Sequence, residues 1–308
     1  MKEIIQNSLL FPELIWERPV HYYKNEGGKV LIVAGARGNP QRAILACESV
    51  FRSGTGVLTL AYPQSLNEIY KAFLPDTMKL PLLETFGGSL GHKAKEDIVS
   101  HSKVCDIALI GPGLSNNAET IHLVWDLIFD IKTPIVLVDD GVQALTKGIE
   151  VLRQKESENF MIDYFKKTSQ LFLVATSEEL VKILHACNFQ EYPKINASIL
   201  NSKLKEITSF LHEMLGVGIV VRGNGGLAVV NDQILRNVVG SCDSAVLEGM
   251  VASFLAQNPE KPFEAVATAL YLHGISENLA KQKIGDRELL NSDILRFLPE
   301  AIKTSENH

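Results

Sequence analysis

Four short segments carry the residue types that can bind a phosphate or another small anion: GARGNP (35–40), GPGLSNN (111–117), RGNGG (222–226) and VVGSCDSAVLEGM (238–250). The first three follow or close apolar runs, where glycine frees the backbone to turn; the plainer reading of each is a tight turn. The fourth has more physics behind it. Gly240, Ser241, Cys242, Asp243 and Ser244 are small residues ahead of an apolar helical stretch. Their N–H groups and the positive end of the helix can face one point, which makes an anion or phosphate cradle. The competing reading is an ordinary helix start capped by Asp243 or Ser244. No segment has P-loop spacing, and GGSLGH (87–92), close to a dinucleotide fingerprint, follows no clear strand. The histidines make no metal pair with a carboxylate at helical spacing, and no Gly-x-Ser-x-Gly elbow occurs. Asp139-Asp140 closes an apolar run and reads as a helix cap ahead of a cation site.

The elements that must position these segments are legible in the pattern. Apolar runs at 29–35, 56–62, 106–111, 134–140, 171–176, 218–223 and 226–231 are solid rather than alternating, as strands buried on both faces are. Helical stretches fall at 40–52, 64–74, 91–101, 117–130, 177–187, 198–215, 244–257, 262–281 and 291–302. Strand and helix alternating in this way predicts an α/β fold, a mostly parallel central sheet flanked by helices, with ligands at the carboxyl ends of the strands. The runs at 218–223 and 226–231 are too close for a crossover and predict a β-hairpin at the sheet edge, turning through Asn224-Gly225. The expected organisation is a single domain over 1–308, with an N-terminal extension (1–25) packed on it, a charged loop or helix end at 153–159 and a frayed tail at 304–308.

With 30 basic and 36 acidic side chains the net charge is −6, which disfavours a nucleic-acid partner or a polybasic membrane surface. No apolar run approaches the roughly 20 residues of a membrane span, and the N-terminus lacks a signal-peptide pattern. Four scattered cysteines show neither disulfide nor metal spacing, so a reducing cytoplasm is the expected location.

From about Lys24 to Pro299 the chain resembles the ribokinase-like NAD(P)HX dehydratases, the ADP- or ATP-dependent NAD(P)H-hydrate repair enzymes. KVLIVAGARGNPQRAILACESVFRSGTGVLTLAYP looks like the family opening, and ALIGPGLSNN is similar to its Gly-Pro-Gly-Leu-Gly loop. IVLVDDGVQAL resembles Asp-Ala-Asp-Ala-Leu-Asn-Ala-Leu, and VVRGNGGLAVV resembles Val-Val-Leu-Lys-Gly-Ala-Gly-Thr. VLEGMVASFLAQN and ALYLHGISENLA are similar to the last two helices. The resemblance implies a three-layer ribokinase-like fold and a lyase activity. ATP or ADP with Mg²⁺ drives loss of water from hydrated NAD(P)H, phosphorylation making the ring hydroxyl a better leaving group. It also implies small-molecule partners and a symmetric homo-oligomer. Nucleotide contacts carry over to Arg222, Gly223, Asn224, Gly225 and Gly226, beside Gly240 to Ser244. Substrate contacts carry over to Ala43, Gly111, Gly113, Asp140, Thr176 and Glu179.

The departures cluster at the site. Where the family has Gly-Gly-Thr-Gly-Asp, this chain has Ser241-Cys242-Asp243-Ser244-Ala245, so an alanine stands at the catalytic aspartate position. Losing a positioned general base removes about 10²–10⁴-fold in rate. The family's Asn-Pro-Gly is reduced to Asn237-Val238-Val239-Gly240, its Thr-Pro-His-Pro-Gly-Glu loop has become 174–179 with Thr176 for histidine, and Arg222 replaces its lysine. Candidate substitute carboxylates are Asp243 and Glu248. Three readings follow: a working dehydratase with a substituted base, a catalytically impaired pseudoenzyme that binds a nucleotide or another ligand, or a ribokinase-like small-molecule kinase.

Overall fold

The structure, a computed structural model, describes residues 1–16, 27–155, 165, 170–187, 197–223, 226–287 and 289–306. The seven apolar runs form strands β2 (Lys29–Val33), β3 (Val57–Pro63), β5 (Ile107–Ile110), β6 (Ile135–Val138), β7 (Leu171–Thr176), β8 (Gly218–Arg222) and β9 (Leu227–Val230). Three further strands join them: β1 (Lys2–Gln6), β4 (Met78–Leu82) and β10 (Gln233–Asn237). They make one sheet in the order β1-β10-β9-β8-β7-β6-β5-β2-β3-β4, in which β9 runs against the rest. Successive residues of a strand face opposite layers. Leu31 and Val33 pack into one core and Val30 and Ile32 into the other, which is why the runs are apolar throughout.

Two helical layers cover the sheet. On one face lie α4 (Lys95–Ser102), α5 (Ala118–Asp130), α6 (Asp140–Lys155), α7 (Ser177–Cys187) and α8 (Ala197–Leu215). On the other lie α1 (Glu13–Trp16), α2 (Gln41–Arg52), α3 (Asn67–Phe73), α9 (Val246–Gln257), α10 (Pro262–Ile284) and α11 (Asn291–Glu306). Helix α9 is buried along nearly its whole length, between the sheet and α2 and α10, so it has no polar face.

Three expectations need correction. The β8–β9 hairpin is not at the sheet edge. After β9 the chain turns through Asn231 and Asp232, both with positive φ (49° and 58°), and returns as β10. Residues 2–6, expected as part of an extension, pair in parallel with β10 and form the true edge. Helix α11 runs to Glu306 with Ser305 buried, so 304–306 are helical rather than frayed. The turn residues Asn224 and Gly225, most of the charged 153–159 stretch, and 17–25 of the extension lie outside the described residues. No helix among the described residues is long and apolar enough to cross a membrane.

Candidate functional site

The carboxyl ends of β2, β6 and β8 converge on the first turn of α9, and four charged side chains meet there. Gly249 lets α9 approach α2 closely. A Cβ at that position would stand 2.8 Å from the Ala46 carbonyl oxygen, and Ser49 Oγ donates to the Val246 carbonyl at 2.5 Å. This contact brings Arg42, in the first turn of α2, to Glu248. Arg42 Nη2 lies 3.2 Å from Glu248 Oε1, and Arg42 Nε donates to Asp139 Oδ2 at 2.8 Å, a contact that its Nη2 closes further. From β8, Arg222 Nη1 donates to Glu248 Oε1 at 2.7 Å, and its Nη2 lies 3.9 Å from Asp139 Oδ1. Asp139 reaches the group from a left-handed backbone conformation (φ 46°), which a short polar side chain tolerates.

Burial grades the group from floor to mouth. Side-chain exposure is 1% at Glu248, 12% at Arg222, 19% at Asp139 and 26% at Arg42. Burial pushes the Glu248 carboxyl up to about 8; the Asp139 charge adds to the push, and the guanidiniums of Arg222 and Arg42 work against it. At Arg42 burial works against the charge, but Glu248 and Asp139 reverse it and leave the pKa raised.

The expected anion cradle is partly filled by the chain itself. Glu277 of α10 accepts the N–H groups of Ser241 at 2.8 Å and Cys242 at 3.1 Å, and Ser241 Oγ donates to it at 2.6 Å. Burial works against the charge on Glu277, but hydrogen bonds from Lys281 and Ser241 outweigh it and hold the carboxyl low. Gly240 (φ 68°) sits where a Cβ would stand 2.6 Å from Gly274 Cα, so the loop presses onto α10. Cys242 is fully buried, and burial pushes its thiol up to about 12, which leaves it inert. Ser244 Oγ accepts the Val246 N–H at 3.1 Å and donates to Asn291 at 2.9 Å, so Ser244 acts as a helix cap. Ala245 offers no side-chain polar atom; among the described residues the N–H groups of Ser244 and Ala245 donate to nothing.

The other expected site residues divide into scaffold and site. Gly111 (φ 136°) lies against the Val138 carbonyl, 1.8 Å from where its Cβ would be, and Gly113 (φ 64°) packs similarly on Asn39; both shape the strand-end loop. Ala43 is fully buried in the core, and its neighbour Arg42 is the residue that reaches the strand ends. Asp140 accepts the Ser115 N–H at 2.9 Å and so fastens the 111–117 loop. Burial raises its carboxyl, partly offset by that bond. Thr176 and Glu179 form a reciprocal cap on α7: Thr176 N–H donates to Glu179 Oε2 at 2.8 Å, and Glu179 N–H to Thr176 Oγ1 at 3.2 Å. Their polar atoms serve each other rather than the cleft. Gly223 (φ 82°) and Gly226 (φ 77°) flank the hairpin turn, and Gly223 N–H donates to the Cys242 carbonyl at 3.1 Å. Of the substitute acids, Glu248 lies on the floor under two guanidiniums. Asp243 is exposed at the rim, its Cγ 3.8 Å from where a Gly223 Cβ would stand.

A protein-held divalent cation does not fit these residues. Asp139 and Glu248 are engaged by arginines, Asp140 by Ser115 and Glu277 by Ser241 and Lys281. No three His, Cys, Asp or Glu side chains among the described residues converge to hold a metal. A cavity of about 730 Å³, lined by Phe51, Arg52, Thr55, Phe73 and Asp76, opens at the amino ends of the strands, away from this chemistry.

A mostly parallel sheet between two helical layers, with a cluster of charged side chains at its carboxyl edge, is the architecture of a ribokinase-like α/β protein. The chain belongs to the NAD(P)H-hydrate dehydratase family, whose model matches residues 30–300. It is 26% identical over 290 residues to the bifunctional NAD(P)H-hydrate repair enzyme Nnr of Moorella thermoacetica, covering 92% of this chain and 51% of that protein. It is 24% identical to the ADP-dependent (S)-NAD(P)H-hydrate dehydratase of Streptococcus pneumoniae, over 96% of this chain and 94% of that one. The chain thus spans about half the length of the bifunctional relatives. Among solved structures it is similar to a ribokinase-like superfamily protein from Enterococcus faecalis (TM-score 0.76, 21% identity, 99% of this chain and 97% of that one). It is also similar to the ADP/ATP-dependent NAD(P)H-hydrate dehydratase of Bacillus subtilis co-crystallised with ATP/Mg²⁺ (TM-score 0.74, 20% identity, 98% and 100%).

Proposed function

We propose that this chain binds the ligands of its family, an adenine nucleotide and hydrated NAD(P)H, at the carboxyl edge of the sheet, and that its catalysis of the dehydration is impaired. One observation carries the reading: at the mouth of α9, where the resemblance calls for a carboxylate, stands the methyl group of Ala245. Phosphorylation of the ring hydroxyl needs a group to take its proton as the oxygen attacks the terminal phosphoryl group. Binding has more support than turnover. The free N–H groups of Ser244 and Ala245, the glycines around the hairpin turn and the two guanidiniums all favour a phosphate-bearing ligand.

A second reading, slow dehydration with Asp243 as the base, is favoured by the exposed position of that carboxylate beside Gly223. Purified protein incubated with hydrated NADH, Mg²⁺ and ADP or ATP separates the two readings. The impaired reading expects a nucleotide-induced rise in melting temperature without recovery of NADH absorbance. Recovery of absorbance at an ordinary enzymatic rate overturns it.

A further inference from the structure

We infer that Arg42 and Arg222 together form a metal-independent receptor for the terminal phosphate of the bound nucleotide. This rests on the adenine-nucleotide reading above and adds to it the means by which phosphate charge is met.

Asp139, Asp140 and Glu248, the acids here that could ligate a cation, already accept hydrogen bonds, and the cations beside them are the chain's own two guanidiniums. The two guanidiniums are held from below. Glu248 accepts from both of them at the floor, and Asp139 braces Arg42 at 2.8 Å. That bracing fixes two long side chains before any ligand arrives, which lowers the ordering cost of binding. It also leaves donors over. Among the described residues Arg222 uses Nη1 alone in hydrogen bonds, and its buried Nε has no acceptor. Arg42 directs Nε and Nη2 to the carboxylates and leaves Nη1 unused. A buried guanidinium N–H without an acceptor is costly to leave unmade, and a phosphate oxygen is a matched partner for it. Both arginines stand at the strand ends: Arg222 closes β8 and is followed directly by Gly223 of the hairpin turn, and both donate to Glu248 in the first turn of α9. A phosphate seated there reaches charge from the side chains and N–H donors from the backbone together.

The test is titration calorimetry of the full chain with ADP, in EDTA and again in Mg²⁺, for the wild type and for Arg42→Gln and Arg222→Gln. The wild type is expected to bind ADP with the same Kd, within about threefold, in both buffers. Each glutamine variant should bind about 10- to 100-fold more weakly, the loss of a charge-assisted hydrogen bond. Arg42→Lys and Arg222→Lys keep the charge, serve where a glutamine variant does not fold, and should fall between. Binding that EDTA abolishes overturns the inference and leaves the nucleotide reading standing; so does unchanged affinity in folded Arg42→Gln and Arg222→Gln proteins. If ADP binds in neither buffer, the nucleotide reading falls and the inference falls with it. Arginine-dependent, metal-free binding of NADP⁺ with none of ADP or NAD⁺ would assign the pair to a 2′-phosphate and overturn the terminal-phosphate assignment.

Discussion

Replacing Glu248 by glutamine should change how stability depends on pH while leaving the shape of the cleft floor nearly intact. In the folded protein burial pushes this carboxyl up to about 8, whereas in an unfolded chain it titrates near an ordinary glutamate value of roughly 4.3. Between those two values the native state holds a proton that the unfolded state has released. The stabilisation associated with that proton is complete below the unfolded value and is lost as pH rises toward the folded one. The slope is about 1.4 kcal/mol per pH unit, so three units from pH 5 to pH 8 amount to about 4 kcal/mol. Arg42 of α2, Asp139 after β6 and Arg222 of β8 are the charged groups acting on Glu248, and the Arg222 charge also acts on the buried His273 of α10. These groups are common to both proteins, so their titrations largely cancel in the comparison. Denaturant unfolding of the wild type and Glu248→Gln at pH 5, 6.5 and 8 reads the difference directly. The wild type should lose about 4 kcal/mol more than the variant over that interval. Parallel profiles would mean that the two arginines keep Glu248 ionised throughout, and the argument from burial would be wrong.

Other consequences follow from single contacts. Gly111→Ala forces a Cβ to 1.8 Å from the Val138 carbonyl oxygen at φ 136°, so thermal melting should show a loss beyond the roughly 1–3 kcal/mol of backbone strain alone. The same variant should weaken the nucleotide-induced shift, because the β5 and β6 ends cannot both keep their places. Thr176→Ala removes one arm of the α7 cap and should destabilise by about 0.5–2 kcal/mol. Its nucleotide affinity, measured by calorimetry, should stay at the wild-type value; a large drop would return Thr176 to the binding site. Any residual dehydration by the wild type should vanish in Asp243→Asn, and residual turnover that survives this change removes Asp243 as a base.

The seven central strands were legible because both their faces are buried, which leaves no polar alternation to obscure them. Strands β1, β4 and β10 were not. KEIIQ, MKLPL and QILRN mix polar residues or proline into short edge or near-edge strands, where one side needs no apolar cover. Helix α6 was missed because its text after Asp140 reads as the continuation of a strand-end loop. The small-residue loop does precede a helix, yet nothing local announces that Glu277, 36 residues on, accepts its N–H groups. The central charged group was harder still, since Arg42 and Glu248 are 206 residues apart in sequence. One signal was present: Glu248 is the single charge in VLEGMVASFLAQ, a helix with no polar face, and such a charge needs a buried partner. Thr176 and Glu179 show the opposite case, a local structural role that the sequence does announce. Their Thr-x-x-Glu spacing is that of a helix cap, a plainer account than the ligand contacts carried over from the resemblance.

On the proposed reading, the strand-end site binds its ligands without a base in position. Ala245→Asp puts a carboxylate back at the mouth of α9, in the turn where Ser244 caps the helix. The measurement is the initial rate of NADH recovery from hydrated NADH with ADP or ATP and Mg²⁺, for both proteins at equal concentration. The variant should be faster than the wild type by at least about 100-fold, within the roughly 10²–10⁴ range of a positioned base. A wild type that already turns over at several per second, with no gain from the restored aspartate, would contradict it.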